Sequence, residues 1–227
     1  MYQSIISLGA WCQVSEQLRL HKLPRTLSPL EWTVATWDAM TAVIRDDGQR
    51  LCHDIVLEGE VPNAVCKTYG LVHPHDFHPP CDDFHQWKEI DPKEQDEARS
   101  KYARKMEAFR QACRANEGRI AFIRMGGEAK PAVAWPYMHD KKPVTASRVN
   151  TLVEDLKTYC GHENFDLFVV LHEEWHPFEK DVELASNATI LERPPVAPPV
   201  DWFGHQELWT ELLQTMGILE LEQQNAA

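Results

Sequence analysis

The 227-residue chain has no Cys-x-x-Cys pair, and its six cysteines, Cys12, Cys52, Cys66, Cys81, Cys113 and Cys160, are too scattered for a secreted disulfide scaffold. They read as reduced thiols, mostly small core residues, with one or two at most carrying chemistry. Positive charge is also short: 23 Lys and Arg face 35 Asp and Glu, a formal net charge of −12. That balance argues against sequence-independent nucleic-acid binding, which needs clustered cations. The opening MYQSIISLGAWC lacks a cationic leader, and no apolar run is long enough to cross a bilayer. A cytoplasmic protein with neither membrane nor nucleic acid as partner is expected. No phosphate-binding G-x-G-x-x-G or G-K-[ST] is present either. What the chain does have is 43% hydrophobic and 26% charged residues, the composition of a folded globular domain.

The apolar pattern alternates between two kinds of element. Residues 4–9, SIISLG, read as a buried strand ending in a tight turn at Gly9, and Trp11, Val14 and Leu18 then recur at helical spacing from about Cys12. Trp37, Met40, Val43 and Ile44 predict a second helix ending near 46–48. Residues 51–90, rich in His, Pro and aromatics, read as an irregular excursion with one short strand near 55–57. Asp91-Pro92 predicts a helix start, and Tyr102, Met106, Phe109 and Cys113 mark its buried face. A strand at 119–124, a helix over Val149 to Tyr159 stopped by Gly161, and a strand at 165–171 follow. After them come an apolar run at 188–191, a Pro-rich connection at 194–199 and a tail helix over about 204–216. Strand-helix alternation with continuous apolar strands predicts one α/β domain over 1–227. Its sheet should be mainly parallel, Rossmann-like or SGNH-like, with helices on both faces.

In such a sheet, ligands gather at the carboxyl ends of strands. Cys12 falls just past the first strand at a helix start, where backbone amides and the helix dipole favour a thiolate; a small packing residue is the competing reading. A thiol nucleophile needs a base, and His73, His75, Asp76 and His78 form one close group. The same histidines, with Cys81 and His85, are zinc-type ligands. They come near H-x-H-x-D-H with the aspartate one place early, so a zinc-dependent hydrolase is a minor alternative. Glu31 is read either as a carboxylate orienting His75 or as a solvated side chain, and Trp32 as an apolar wall or a core residue. Asp76 is read as a turn cap. Arg124 is read as an anion-binding group or a structural ion pair. Gly126-Gly127 is a weak phosphate-loop candidate. His172, with His176 four residues on, ends a strand at the carboxyl edge; Asp201 and His205 resemble the late acid-histidine pair of SGNH enzymes, spaced one residue wider.

Taken in order, Ser7-Leu8-Gly9 with Cys12, Leu18-Arg19, Ser28-Pro29-Leu30-Glu31-Trp32, His75-Asp76-Phe77, the 102–110 stretch and Phe122-Ile123-Arg124 resemble the family described as putative papain-like cysteine peptidases, a domain of unknown function in bacterial and plant proteins. The resemblance implies a nucleophile at Cys12 and a histidine partner at His75. The family usually shows Pro-Phe-Asp-Trp where this chain has Pro29-Leu30-Glu31-Trp32, and its basic run before Phe109 is fuller than Arg104-Lys105 here. A papain-like fold would carry the nucleophile on a long central helix against an antiparallel barrel-like sheet, whereas the residue pattern predicts parallel β-α units.

The leading expectation is a cysteine-dependent hydrolase or acyl-transfer enzyme without cofactor or metal, acting on a small-molecule, peptide or glycan substrate. Its expected catalytic residues are Cys12, His75 and Glu31; Gly9, Trp11, Trp32, Asp76, Arg124 and His172 line the substrate site. The rivals are a Rossmann-like transferase for a nucleotide-sugar or glycan, with phosphate held by Arg124, and a non-catalytic binding domain.

Overall fold

The computed structural model describes residues 2–60, 62–79, 87–126, 143–172, 178–193 and 205–220, with backbone alone for His172 and Arg193. In chain order the elements are β1 (Ser4–Ser7), α1 (Cys12–Leu20), α2 (Trp37–Arg45), β2 (Ile55–Glu58), β3 (Asn63–Cys66), β4 (Leu71–Val72), α3 (Pro92–Arg114), β5 (Ile120–Gly126), α4 (Ala146–Cys160), β6 (Phe165–His172), β7 (Ala188–Arg193) and α5 (Gln206–Thr215). The predicted segments 194–199, Cys81, His85, Gly127, His176 and Asp201 lie outside the described residues.

Continuous apolar runs become strands buried on both faces, because each face of a parallel sheet is covered by crossover helices. All seven residues of β5 are buried. The sheet order is β1-β5-β6-β7, with every neighbouring pair parallel. Strand residues alternate between two cores. Ile6, Phe122, Leu167 and Val169 pack with Met40 of α2, Phe109 of α3 and Leu156 of α4. Ile5, Ile123, Phe168 and Val170 pack on the other side with Val14 and Leu18 of α1 and Trp209 of α5. Each such side chain contributes about 1.5–3 kcal/mol by leaving water. The fold is therefore the expected parallel α/β arrangement, with Cys12 on a nine-residue helix after a strand at the sheet's edge. The papain-type layout of a long helix against an antiparallel barrel is not what this chain adopts.

Helix boundaries follow local chemistry. The Thr36 side chain accepts from Ala39 N at the start of α2, Asp91 from Lys93 N at the start of α3, and Thr145 from Arg148 N at the start of α4. Gly161, at φ +77°, closes α4 in the left-handed conformation that glycine adopts without a Cβ penalty. No described helix is long and apolar enough to cross a membrane.

Residues 51–90 differ from expectation. Rather than one short strand in an irregular excursion, β2, β3 and β4 form an antiparallel meander in the order β2-β3-β4. The strands span four, four and two residues, too short for alternation to register, and pairing between them rather than periodicity defines them.

Candidate active site

The segment leaving β1 stays beside β5, with Leu8 N donating to Ile123 O at 2.8 Å and Met125 N to Gly9 O at 2.8 Å. Gly9 turns the chain at φ +82°, and a Cβ there would meet a guanidinium nitrogen of Arg124 at 2.9 Å. Trp11 is the N-cap of α1 and makes no side-chain cap hydrogen bond, so the first helical residue is Cys12. Two backbone links then bring His75 to it. Ala35 N donates to Ala10 O at 2.9 Å, and the preceding residue, Val34, forms an antiparallel bridge with Val72 of β4. Three residues after Val72, His75 Nε2 lies 3.2 Å from Cys12 Sγ. Trp32, held at φ +64°, sets its ring edge-on to His75 with centroids 5.9 Å apart.

Burial governs the protonation of this pair. It pushes the Cys12 thiol up to about 11, against the opposing pull of its own backbone N–H and of Lys105. The thiolate expected from the helix start is thus overridden: Cys12 is 8% exposed, and desolvation outweighs the dipole. Burial also lowers the His75 pKa, against the charge of Asp76. Both shifts favour the uncharged forms, a thiol and an imidazole.

Asp76 turns away from its neighbour. Its carboxylate accepts from Tyr102 Oη at 2.7 Å, from Lys101 Nζ at 2.5 Å, and from His73 Nδ1 at 3.3 Å. A carboxylate only accepts, so Nδ1 of His73 carries the proton, and its Nε2 faces Cys52 Sγ at 4.0 Å. Burial works to raise the Asp76 pKa, yet the three hydrogen bonds prevail and hold the carboxyl well below the usual range. The His73 side chain is fully buried and its pKa is lowered by that burial. Instead of capping a turn, Asp76 ties the His75 loop to α3.

Several expected site residues have other duties. Glu31 accepts from Arg25 at 3.1 Å and faces Lys105 Nζ at 3.6 Å, while that ammonium donates to the Glu31 main-chain oxygen at 3.2 Å. The carboxylate makes no hydrogen bond to His75, so it does not orient the imidazole directly. The fully buried Arg124 donates to Leu8 O at 2.8 Å and Ala35 O at 2.7 Å, with Trp37 beneath its guanidinium at 5.8 Å. Its place is the scaffold, not a phosphate site. Trp11 is half-buried beside the apolar clusters of both sheets. The His172 backbone pairs with Arg193 at the carboxyl end of β6, and His205 is the N-cap of α5.

The three histidines of the zinc alternative diverge. His73 faces Asp76 and Tyr102, His75 faces Cys12, and His78 faces Glu94 at 3.5 Å. Among the described residues no group of three or more His, Cys, Asp or Glu side chains could hold a metal. Sequence reasoning missed the polar contribution of α3. Its signal was there in Lys105, which shares a face with Tyr102, Met106 and Phe109 at steps of three, one and three, and so must be buried with a counterion.

A family model described as "Putative papain-like cysteine peptidase", a domain of unknown function, matches residues 3–174, and the chain belongs to that family. No curated protein and no solved structure matches the chain.

Proposed function

We propose that the protein is a cysteine-dependent hydrolase or acyl-transfer enzyme in which Cys12 is the nucleophile and His75 the general base. Family membership supports the class. The observation that carries the assignment of residues is the 3.2 Å approach of Cys12 Sγ to His75 Nε2 at the carboxyl end of β1. Because both groups rest neutral, proton transfer accompanies attack rather than preceding it. The Sγ–H proton passes to Nε2 as sulfur bonds to the carbonyl carbon. The oxyanion is met by backbone amides in the first turn of α1, where Trp11 gives no side-chain cap. Nε2–H then protonates the leaving amine, alcohol or thiol as its bond to carbon breaks, and water or a second nucleophile resolves the thioester with His75 again as base. Trp32 fixes the imidazole plane, and the Asp76 anchor fixes the loop that carries it.

The test uses p-nitrophenyl acetate and iodoacetamide. The expected result is a burst of p-nitrophenol with acetyl-Cys12 found by peptide mapping, and alkylation of Cys12 ahead of the other thiols. Both should be lost in Cys12→Ala and slowed at least tenfold in His75→Ala. Indifference of Cys12 labelling to His75→Ala, together with no acetyl-enzyme, would leave a binding domain as the surviving reading.

A further inference from the structure

A cleft of about 570 Å³ opens between the His75 loop and the N-terminal half of α3, with His75 and Asp76 on one wall and residues of α3 from Lys93 to Arg104 on the other. Three of its four acidic side chains meet a cation, and the fourth faces a histidine ring. Asp76 is held by Lys101, Glu94 faces His78, Asp96 meets Arg99, and Glu97 lies 3.8 Å from Lys93. These pairs also occupy the cleft's two lysines. One cation is left over: the side chain of Arg104 is exposed and has no hydrogen bond or ion pair among the described residues.

Its position is fixed by its helix neighbours. Lys101, one turn earlier on the same face, touches Asp76 beside His75, and Lys105, the next residue, reaches Glu31 beside Trp32. Arg104 therefore lies one turn along α3 from the Lys101–Asp76 anchor and lines the same cleft as His75. A guanidinium offers five donors in a planar fork matched to a carboxylate. We infer that Arg104 is the specificity-determining residue of the cleft and selects an acyl substrate bearing a carboxylate several bonds from the reacting carbonyl. This deepens the proposed function and rests on Cys12 as its nucleophile. The contact is solvent-exposed, so the selectivity it confers is modest, about two- to fivefold.

Two maleimides test it, one with a carboxylate at the end of a five-carbon arm and the other its neutral amide. In the wild-type protein the acid should label Cys12 about two- to fivefold faster than the amide. Arg104→Gln should abolish that preference while leaving the amide rate unchanged, and Arg104→Lys should retain part of it. Equal rates for both probes in the wild type would overturn the inference and leave the Cys12–His75 assignment intact. Should neither probe reach Cys12, the proposed function fails, and arginine side-chain NMR still decides the inference. Titration with N-acetylglutamate should shift the Arg104 Nε–H resonance ahead of other arginines, and an unmoved signal overturns the assignment.

Discussion

Val34 and Val72 exchange both of their backbone hydrogen bonds, at 2.9 and 3.0 Å, and this bridge decides where His75 lies. Val34 is followed by Ala35, whose amide is bonded to the turn before Cys12, and Val72 is followed within three residues by the imidazole. The small antiparallel sheet is thus an arm that delivers His75 to Cys12 on the edge of the parallel sheet. Main-chain bonds set the distance, and the side chains of Trp32 and Asp76 refine it.

The shifts of the pair predict the pH profile of the proposed acyl transfer. The imidazole must be neutral to act, and burial holds its pKa below the ordinary histidine value. The acid limb of p-nitrophenyl acetate turnover should therefore have its midpoint below about 6.5, with a plateau from about pH 7 upward. The thiol, lifted to about 11, adds no limb through the neutral range. A bell-shaped profile that declines between about pH 7 and 9 would instead indicate a thiolate–imidazolium pair and overturn the neutral-pair mechanism.

Glu31 separates stability from catalysis. Burial raises its pKa and lowers that of Lys105, so the two groups hold each other's charge inside the protein. Glu31→Gln leaves the Lys105 ammonium buried without its carboxylate and should cost about 3 kcal/mol in urea denaturation. The same variant should keep the acid-limb midpoint of turnover where it was, since Glu31 does not contact His75. A displaced midpoint with unchanged stability would restore Glu31 as the group that orients the imidazole.

How much of this was readable in advance depended on how far along the chain each partner lies. The β1 run, the turn at Gly9 and the start of α1 follow from twelve consecutive residues, and α3 and α4 announce themselves through Asp91-Pro92 and Gly161. The residues alone offer the His73–His78 group as a partner for Cys12, but the choice of His75 within it, 63 residues from the thiol, comes only through the resemblance, because no local rule links the two. Glu31 reads as a partner for His75 or as a solvated side chain, because Lys105, the cation it faces, lies 74 positions on. Arg124 reads as an anion-binding group or a structural ion pair, and neither reading can see its carbonyl partners 116 and 89 residues away. The short strands β3 and β4 carry too few residues to show a period of two.

Acid should unfold the protein through the anchor beneath the histidine loop. His73 has a folded pKa below its unfolded value, so the unfolded chain binds its proton more readily and stability falls as pH drops below about 6.5. Asp76, with its folded pKa depressed, contributes stability that is present above about 3.9 and lost as pH falls through its folded value. Both act in the same direction. The melting temperature should decline from pH 7 to 5 and fall further below 4. Asp76→Asn should cost about 2–3 kcal/mol at pH 7 and flatten the steep low-pH arm, as it removes the carboxylate that titrates there. A low-pH arm identical to the wild type would assign that loss to other carboxylates.

Arg124 tests whether the scaffold or a phosphate explains the strand-end arginine. Its guanidinium bonds the carbonyls of Leu8 and Ala35, the first just before the turn into Cys12 and the second already joined by its amide to Ala10. A lysine can reach one of these carbonyls but not both in the same plane, and a buried hydrogen bond from a charged donor contributes about 1.5–3 kcal/mol. Arg124→Lys should thus destabilise by about 2 kcal/mol. Slower Cys12 alkylation is also expected, because the segment carrying the thiol loses its tie to the segment that positions β4. A nucleoside diphosphate such as UDP should leave the melting temperature of both proteins unchanged, since the guanidinium is fully buried and bonded to main-chain oxygens. Stabilisation of the wild type by UDP that disappears in Arg124→Lys would reverse this conclusion and revive a transferase.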